Sequence, residues 1–264
     1  MAITVKEIMD RLKEPIGVLS NTVDSLKSGD PDMEVKGIAT SFMPTQFVIR
    51  ESVKIGANLL ITHEGLFYRH LDQTELDERN SVRYEKSRLI DKSGIAIFRF
   101  HDYWHRYQPD GIMAGLISCL GWESFVKENR PTATIVTIPA MSLAKVAEHL
   151  KKQLGIEYVR VSGNEKTMCS KIGLLAGYRG SGELTIPLFE KDNLDLLIYG
   201  EGPEWETPEY VRDAIYQGKN KSLIVLGHAE SETSGMKYLA QYIQKIYPQI
   251  PVHFIPENPI FRVL

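Results

Sequence analysis

The chain has 264 residues, 43% of them hydrophobic and 25% charged, with a formal net charge of −3. That balance describes a folded globular protein of about two domains and excludes a disordered one. Its charges are interspersed rather than blocked, so no footprint for nucleic acid or an anionic membrane is visible, and no run approaches a membrane span.

The N-terminus carries charge within a helix-like pattern and lacks the apolar core and cleavage site of a signal peptide, so a cytoplasmic protein without nucleic-acid or membrane partners is expected. Val35 to Phe42 reads as a strand. Thr45 then caps a helix that Gly56 ends, and Asn58 to Thr62 follows as a second strand. Polar, proline-broken Asn129 to Pro131 marks a boundary, which predicts a first lobe over 1–128 and a second over 129–264. Within the second lobe, strand Thr134 to Ile138, helix Ser142 to Leu154, and strands Tyr158 to Val161 and Ile172 to Ala176 suggest a small α+β subunit over about 131–190. The helix carries one apolar stripe, Leu143, Val146, Ala147, Leu150 and Leu154. Asp195 to Tyr199 is a further strand, Thr207 with Pro208 starts a helix that Gly218 ends, and Leu223 to Gly227 closes a second βαβ unit. Cap threonine and terminal glycine are eleven residues apart in both units, which suggests an internal duplication. Alternating strands and helices give an α/β fold class.

Three apolar, strand-like runs end in histidine and carboxylate: Leu59 to Thr62 into His63 and Glu64, Ile97 to Phe100 into His101, Asp102 and His105, and Leu223 to Gly227 into His228, Glu230 and Glu232. Ligands of open α/β sheets bind beyond the strands' carboxyl ends, so these tips are expected to form a metal site. Imidazole with carboxylate suits zinc, iron, manganese or nickel. His228 and Glu232, four apart, share a face if helical or meet through a tight loop. Adjacent His63 and Glu64 would point apart in a strand, but a turn can aim one at each of two ions. In the middle cluster His105 is the first choice, with Asp102 or His101 next.

Glu230 and Glu201 are candidate proton carriers, Glu201 equally a plain helix-start carboxylate. His70 reads as a surface residue, and His149 and His253 as structural ones. The stretch Gly177-Tyr178-Arg179-Gly180-Ser181-Gly182-Glu183 could wrap a phosphate, but without a Walker lysine a flexible turn is the favoured reading. The cysteines, Cys119 and Cys169, form no C-x-x-C pair, sit in apolar stretches and read as buried thiols.

The order and separation of the three site segments resemble the NIF-three-like family, whose dinuclear metal proteins are described as GTP cyclohydrolase type 2 homologues. Further matches are Val35 to Ala39, Asp110-Gly111-Ile112, Lys171-Ile172-Gly173, Gly200-Glu201, Gly227-His228 with Glu232, and the ending Pro256-Glu257-Asn258-Pro259. The resemblance implies two α/β lobes with a metal-binding cleft between them and a toroidal homohexamer. Carried over position by position, the family's five ligands fall on His63, Glu64, His105, His228 and Glu232, holding two divalent metal ions. The family has His-His at the first segment and His-Thr-x-x-Asp at the second. This chain exchanges the histidine and the acid, so three imidazoles and two carboxylates remain, and Glu64, with Glu232, is expected to take over bridging.

Two ions would support metal-dependent hydrolysis of a small-molecule nucleotide, phosphoester or cyclic C–N substrate. The alternative is a non-catalytic metal-binding or regulatory scaffold, since fold does not imply function.

Overall fold

A computed structural model describes residues 2–71 and 81–264, and they divide into two compact units. The first contains the chain up to Gly111 together with Met236–Arg262. In order it holds α1 (Val5–Lys13), β1 (Leu26–Ser28), β2 (Ile38–Ser41), α2 (Gln46–Lys54), β3 (Leu59–Thr62), α3 (Ser81–Ser93), β4 (Ala96–Arg99) and α4 (Asp102–Arg106). The chain leaves this unit at the start of α5 (Gly111–Leu120).

The second unit continues through β5 (Val126–Asn129), β6 (Thr134–Ser142), α6 (Leu143–Leu154), β7 (Arg160–Ser162), β8 (Met168–Leu175), α7 (Gly182–Lys191), β9 (Leu196–Tyr199), α8 (Thr207–Tyr216) and β10 (Ser222–Val225). Helix α9 (His228–Ile246) carries the chain back into the first unit, which β11 (Val252–Phe254) completes.

Among the described residues the first sheet has the order β1-β4-β3-β2-β11, with β4, β3, β2 and β11 parallel and β1 antiparallel. β2, β3 and β4 are buried at every position, as parallel strands covered on both faces require. Ala39, Leu60 and Ile97 pack there with Val48 and Ile49 of α2. Thr45 caps α2 through its hydroxyl, which accepts the Val48 N–H, and Gly56 follows with φ of 78°.

The second sheet has the order β5-β6-β8-β9-β10-β7, in which β8, β9 and β10 are parallel and the other pairings antiparallel. Its core includes Ile135, Leu175, Leu197, Leu223 and Phe189.

Three expectations need correction. The units divide at Gly111 and Met236 instead of between 128 and 129. The reason is long-range pairing that local punctuation does not report: Val252 registers with Ile38, and the Thr40 hydroxyl donates to the Met236 carbonyl at 2.9 Å. The segment over 131–190 is no separate subunit, because β8 pairs with β9 and thereby joins β6 to the same sheet as β10. Thr207 is not the cap of α8. Glu206 holds that position, and the buried Thr207 hydroxyl donates to the Gly180 carbonyl at 2.8 Å.

The first unit also buries a cation. Lys86 is 3% exposed, donates to the Leu66 carbonyl and lies 5.8 Å over the Phe67 ring and 5.7 Å over Tyr68. Burial pushes its pKa down to about 8 against the opposing charge of Glu257. Between that value and the unfolded value of 10.5 the unfolded chain binds a proton that the folded chain does not. The stability of the wild type relative to Lys86→Met should therefore rise with pH across that window, by at most about 3 kcal/mol. Urea denaturation of both proteins below and within the window measures it, and parallel curves would contradict it.

Candidate metal centre

β3 and β4 are parallel neighbours with Thr62 opposite Arg99, so their carboxyl ends deliver His63 and His101 side by side. His101 occupies the N-cap position of α4, and His105 lies one helical turn further along. The His63 and His101 rings stack at 4.4 Å, and His105 stands edge-on to each at 4.9 Å. One ring nitrogen from each imidazole lies within 4.8 Å of the other two, the spacing needed to meet a single ion.

Two of these rings are oriented by carboxylates. His105 Nδ1 is 2.9 Å from Asp110 Oδ2, and His101 Nδ1 is 2.9 Å from Asp102 Oδ1. A neutral imidazole that donates Nδ1–H in this way keeps the Nε2 lone pair for a metal. Asp102 accepts the Val23 N–H through its other oxygen at 3.0 Å. Burial opposes its charge, but the hydrogen bonds from His101, Val23 and Thr22 prevail and hold the carboxyl well below the usual range. Beneath the cluster, buried Asp24 accepts the N–H groups of His101, Asp102 and Tyr103 at 2.8, 3.1 and 2.9 Å, which satisfies the first turn of α4.

Glu64 and His70 are organised by Arg99, whose side chain is 0% exposed. Its guanidinium donates to the His63 carbonyl at 3.2 Å, the His70 carbonyl at 2.6 Å and Glu64 Oε2 at 2.7 Å, and it lies 3.1 Å from His70 Nδ1. Glu64 Oε1 faces His101 Nε2 at 3.9 Å. Burial first, and the charge of Arg99 second, lower the pKa of His70. Glu64, His70 and His101 form a further group close enough to hold an ion.

In the second unit β9 and β10 are again parallel neighbours, and Glu201 and His228 follow their carboxyl ends. α9 starts at His228, so the helical alternative holds and Glu232 lies one turn on. His228 Nδ1 is 2.7 Å from Glu201 Oε1, and its Nε2 is 3.2 Å from Glu232 Oε2. Burial alone would lower the His228 pKa, but Glu232 and Glu201 outweigh it and raise it to about 9.

Gly177, at the end of β8 with φ of 68°, runs directly beneath the pair. A Cβ there would lie 2.2 Å from Glu232 Oε1 and 3.3 Å from His228 Nε2, so only glycine fits. Glu230 folds over Gly227, where a Cβ would lie 2.1 Å from its Oε2.

The structure thus groups His63, His101 and His105 within one unit and His228 with Glu232 in the other. Asp102 and Glu201 act on the Nδ1 sides of histidines. Sequence reasoning missed Asp24 and Arg99 and gave Asp110 no role beyond a motif match, while His70 is exposed, as expected, and also meets Arg99. A histidine with an acid five residues on was the available signal for Asp110. His149 is structural, as expected, stacked on Trp122 at 5.4 Å with Nε2 2.8 Å from the Leu120 carbonyl. The donor chemistry fits a divalent ion of intermediate hardness, since imidazoles whose far nitrogens are held by carboxylates are what such ions select.

Comparison with known proteins places the chain in a family and shows related folds. Residues 4–259 match the family described as Duf34/NIF3 (NGG1p interacting factor 3). A GTP cyclohydrolase 1 type 2 homolog of Clostridium acetobutylicum is 23% identical over 92% of this chain and 91% of its own, and one from Clostridium perfringens is 24% identical over 78% and 77%. The crystal structure of a Bacillus cereus protein related to NIF3 shares the fold with a TM-score of 0.78 at 14% identity, covering 100% of both chains.

The Asp110 contact can be tested directly. Asp110→Ala should weaken zinc binding about 10–100-fold by releasing the His105 ring. Competition against a chromophoric chelator measures the affinity, and an unchanged value would remove His105 from the ligand set.

Proposed function

We propose, from the premise that this chain belongs to the Duf34/NIF3 family, that it is a metal-dependent hydrolase using two divalent ions held by the donor sets of its two units. The observation that carries this reading is the cluster of three imidazoles, His63, His101 and His105, two of them oriented by carboxylates on Nδ1. Three protein ligands leave a coordination position open, as a catalytic ion requires and a structural one does not. His63, Glu64, His105, His228 and Glu232 are the proposed ligands from the family pattern, and His101 joins them on geometry.

The chemistry such ions supply is activation of water and polarisation of a phosphoryl, carbonyl or imine group. Glu230 is the proposed proton carrier. Glu201 has a positioning part in this scheme, because its carboxylate fixes the His228 ring. The substrate class is a nucleotide, phosphoester or cyclic C–N compound, in keeping with the names of the relatives. A homohexamer in the cytoplasm is proposed on the family pattern; among the described residues no helix is long and apolar enough to cross a membrane.

A second reading, a non-catalytic metal scaffold, is favoured by one observation. Arg99 occupies Glu64 Oε2, which restricts that carboxylate as a bridge between ions.

Elemental mass spectrometry of protein purified without chelator should find about two divalent ions per chain. His101→Ala and His105→Ala should each lower the content, as should His228→Ala and Glu232→Ala. A chain that takes up no metal even after reconstitution overturns both readings. Full metal content with no turnover across nucleotides and phosphoesters selects the scaffold.

A further inference from the structure

Two loops leave the carboxyl ends of β8 and β9 and are zipped together by their backbones. The Glu201 N–H donates to the Gly177 carbonyl at 2.9 Å, and the Gly180 N–H returns to the Glu201 carbonyl at 3.0 Å. Further along, the Gly182 N–H donates to Glu206 Oε2 at 2.6 Å. The strands of this zip touch, since a Cβ on Gly202 would lie 2.5 Å from the Gly180 carbonyl. Both loops also touch the second unit's donor pair, one through Gly177 beneath Glu232 and the other through Glu201 on His228 Nδ1.

On this rigid platform sit two exposed aromatic residues, Tyr178 at 63% and Trp205 at 75% exposure. The surrounding residues are unlike those of a greasy interface. Tyr178-Arg179-Gly180-Ser181-Gly182 and Gly200-Glu201-Gly202-Pro203-Glu204-Trp205-Glu206 contain no leucine, isoleucine, valine, methionine or phenylalanine. Buried aromatic side chains contribute mainly area, whereas exposed ones on a fixed, otherwise polar platform offer flat π-faces at low entropic cost.

We infer that this pair of loops forms a stacking subsite in which Tyr178 and Trp205 bind the flat heteroaromatic ring of a ligand whose polar part reaches His228 and Glu232. The inference rests on the functional reading above for the role of the donor pair; ring binding itself is separable from metal. Stacking tolerates any flat ring, so the rim selects for aromaticity, while the donor pair selects the polar group.

Trp205 supplies its own probe. Of the three tryptophans, Trp104 and Trp122 are 1% and 3% exposed, so ligand-dependent quenching reports on the rim. Guanosine and adenosine 5′-monophosphates should quench the fluorescence saturably, and ribose 5-phosphate, which lacks a ring to stack, should not. By equilibrium dialysis, Trp205→Phe and Tyr178→Ala should each weaken binding of the two nucleotides, the tyrosine truncation on the order of ten-fold or more. Both side chains are exposed, and circular dichroism checks that the variants fold.

The titration is run on chelator-treated and on metal-reconstituted protein. Ring-dependent quenching that persists in the chelated form supports the subsite even if the metal reading fails. Quenching by ribose 5-phosphate equal to that by the nucleotides overturns the proposal. So does Tyr178→Ala binding with wild-type affinity, or the absence of saturable quenching in both forms.

Discussion

The first unit's site depends on one buried cation. Arg99 ends β4 with no solvent exposure, and an unpaired guanidinium there would cost several kcal/mol. Its donors are met by the His63 and His70 carbonyls and by Glu64 Oε2, so a single side chain fixes the backbone of one proposed ligand and the carboxylate of the next. The sheet explains why it is there. Arg99 is the residue paired with Thr62 in the parallel register of β3 and β4, one position before the point at which both chains turn towards the site. The turn after β3 is thus held by charge-assisted hydrogen bonds as well as by packing.

A second regularity concerns the histidines. His101, His105 and His228 each present Nδ1 to a carboxylate, supplied by Asp102, Asp110 and Glu201 respectively. The acids come from different places in the chain: the next residue, a position five residues on, and the end of a neighbouring strand. What they share is an imidazole whose orientation is fixed through its Nδ1. Asp24 performs the same kind of service one layer further back by capping the turn that carries His101. Both units arrive at this arrangement by the same route, with donors placed just beyond adjacent parallel strands, β3 with β4 and β9 with β10.

Much of this was legible in the sequence, and the omissions follow a pattern. The strands around Leu60, Ile97 and Leu223 announce themselves because burial on both faces demands continuous apolar runs. Thr45 and Gly56 mark a helix because capping and a positive φ restrict residue choice. The three site segments were visible because histidine and carboxylate stand out at the ends of such runs. Pairing between distant segments was not visible, so the return of the chain to the first unit through Met236 and β11 went unread, as did the continuity of β6, β8 and β9. Arg99 and Asp24 were hidden for a related reason. A charged residue at a strand end or in a connecting segment reads as solvated, and only the fold brings carbonyl and amide partners around it. His70 is exposed, as the sequence suggested, but nothing local links it to a guanidinium 29 positions away.

The acid at position 64 and the histidine at position 105 each have a physical setting. An imidazole at position 64 could not have met Arg99 with a charge, whereas the glutamate found there does so at 2.7 Å. Histidine at position 105 has a carboxylate partner in Asp110, 2.9 Å from its Nδ1. Glu64 and His105 are thus each matched electrostatically to a neighbour, Arg99 and Asp110 respectively. Carboxylate oxygen is drawn towards the guanidinium, and imidazole nitrogen is concentrated among His63, His101 and His105. Three imidazoles grouped within 4.8 Å of one another are a donor set suited to an ion of intermediate hardness.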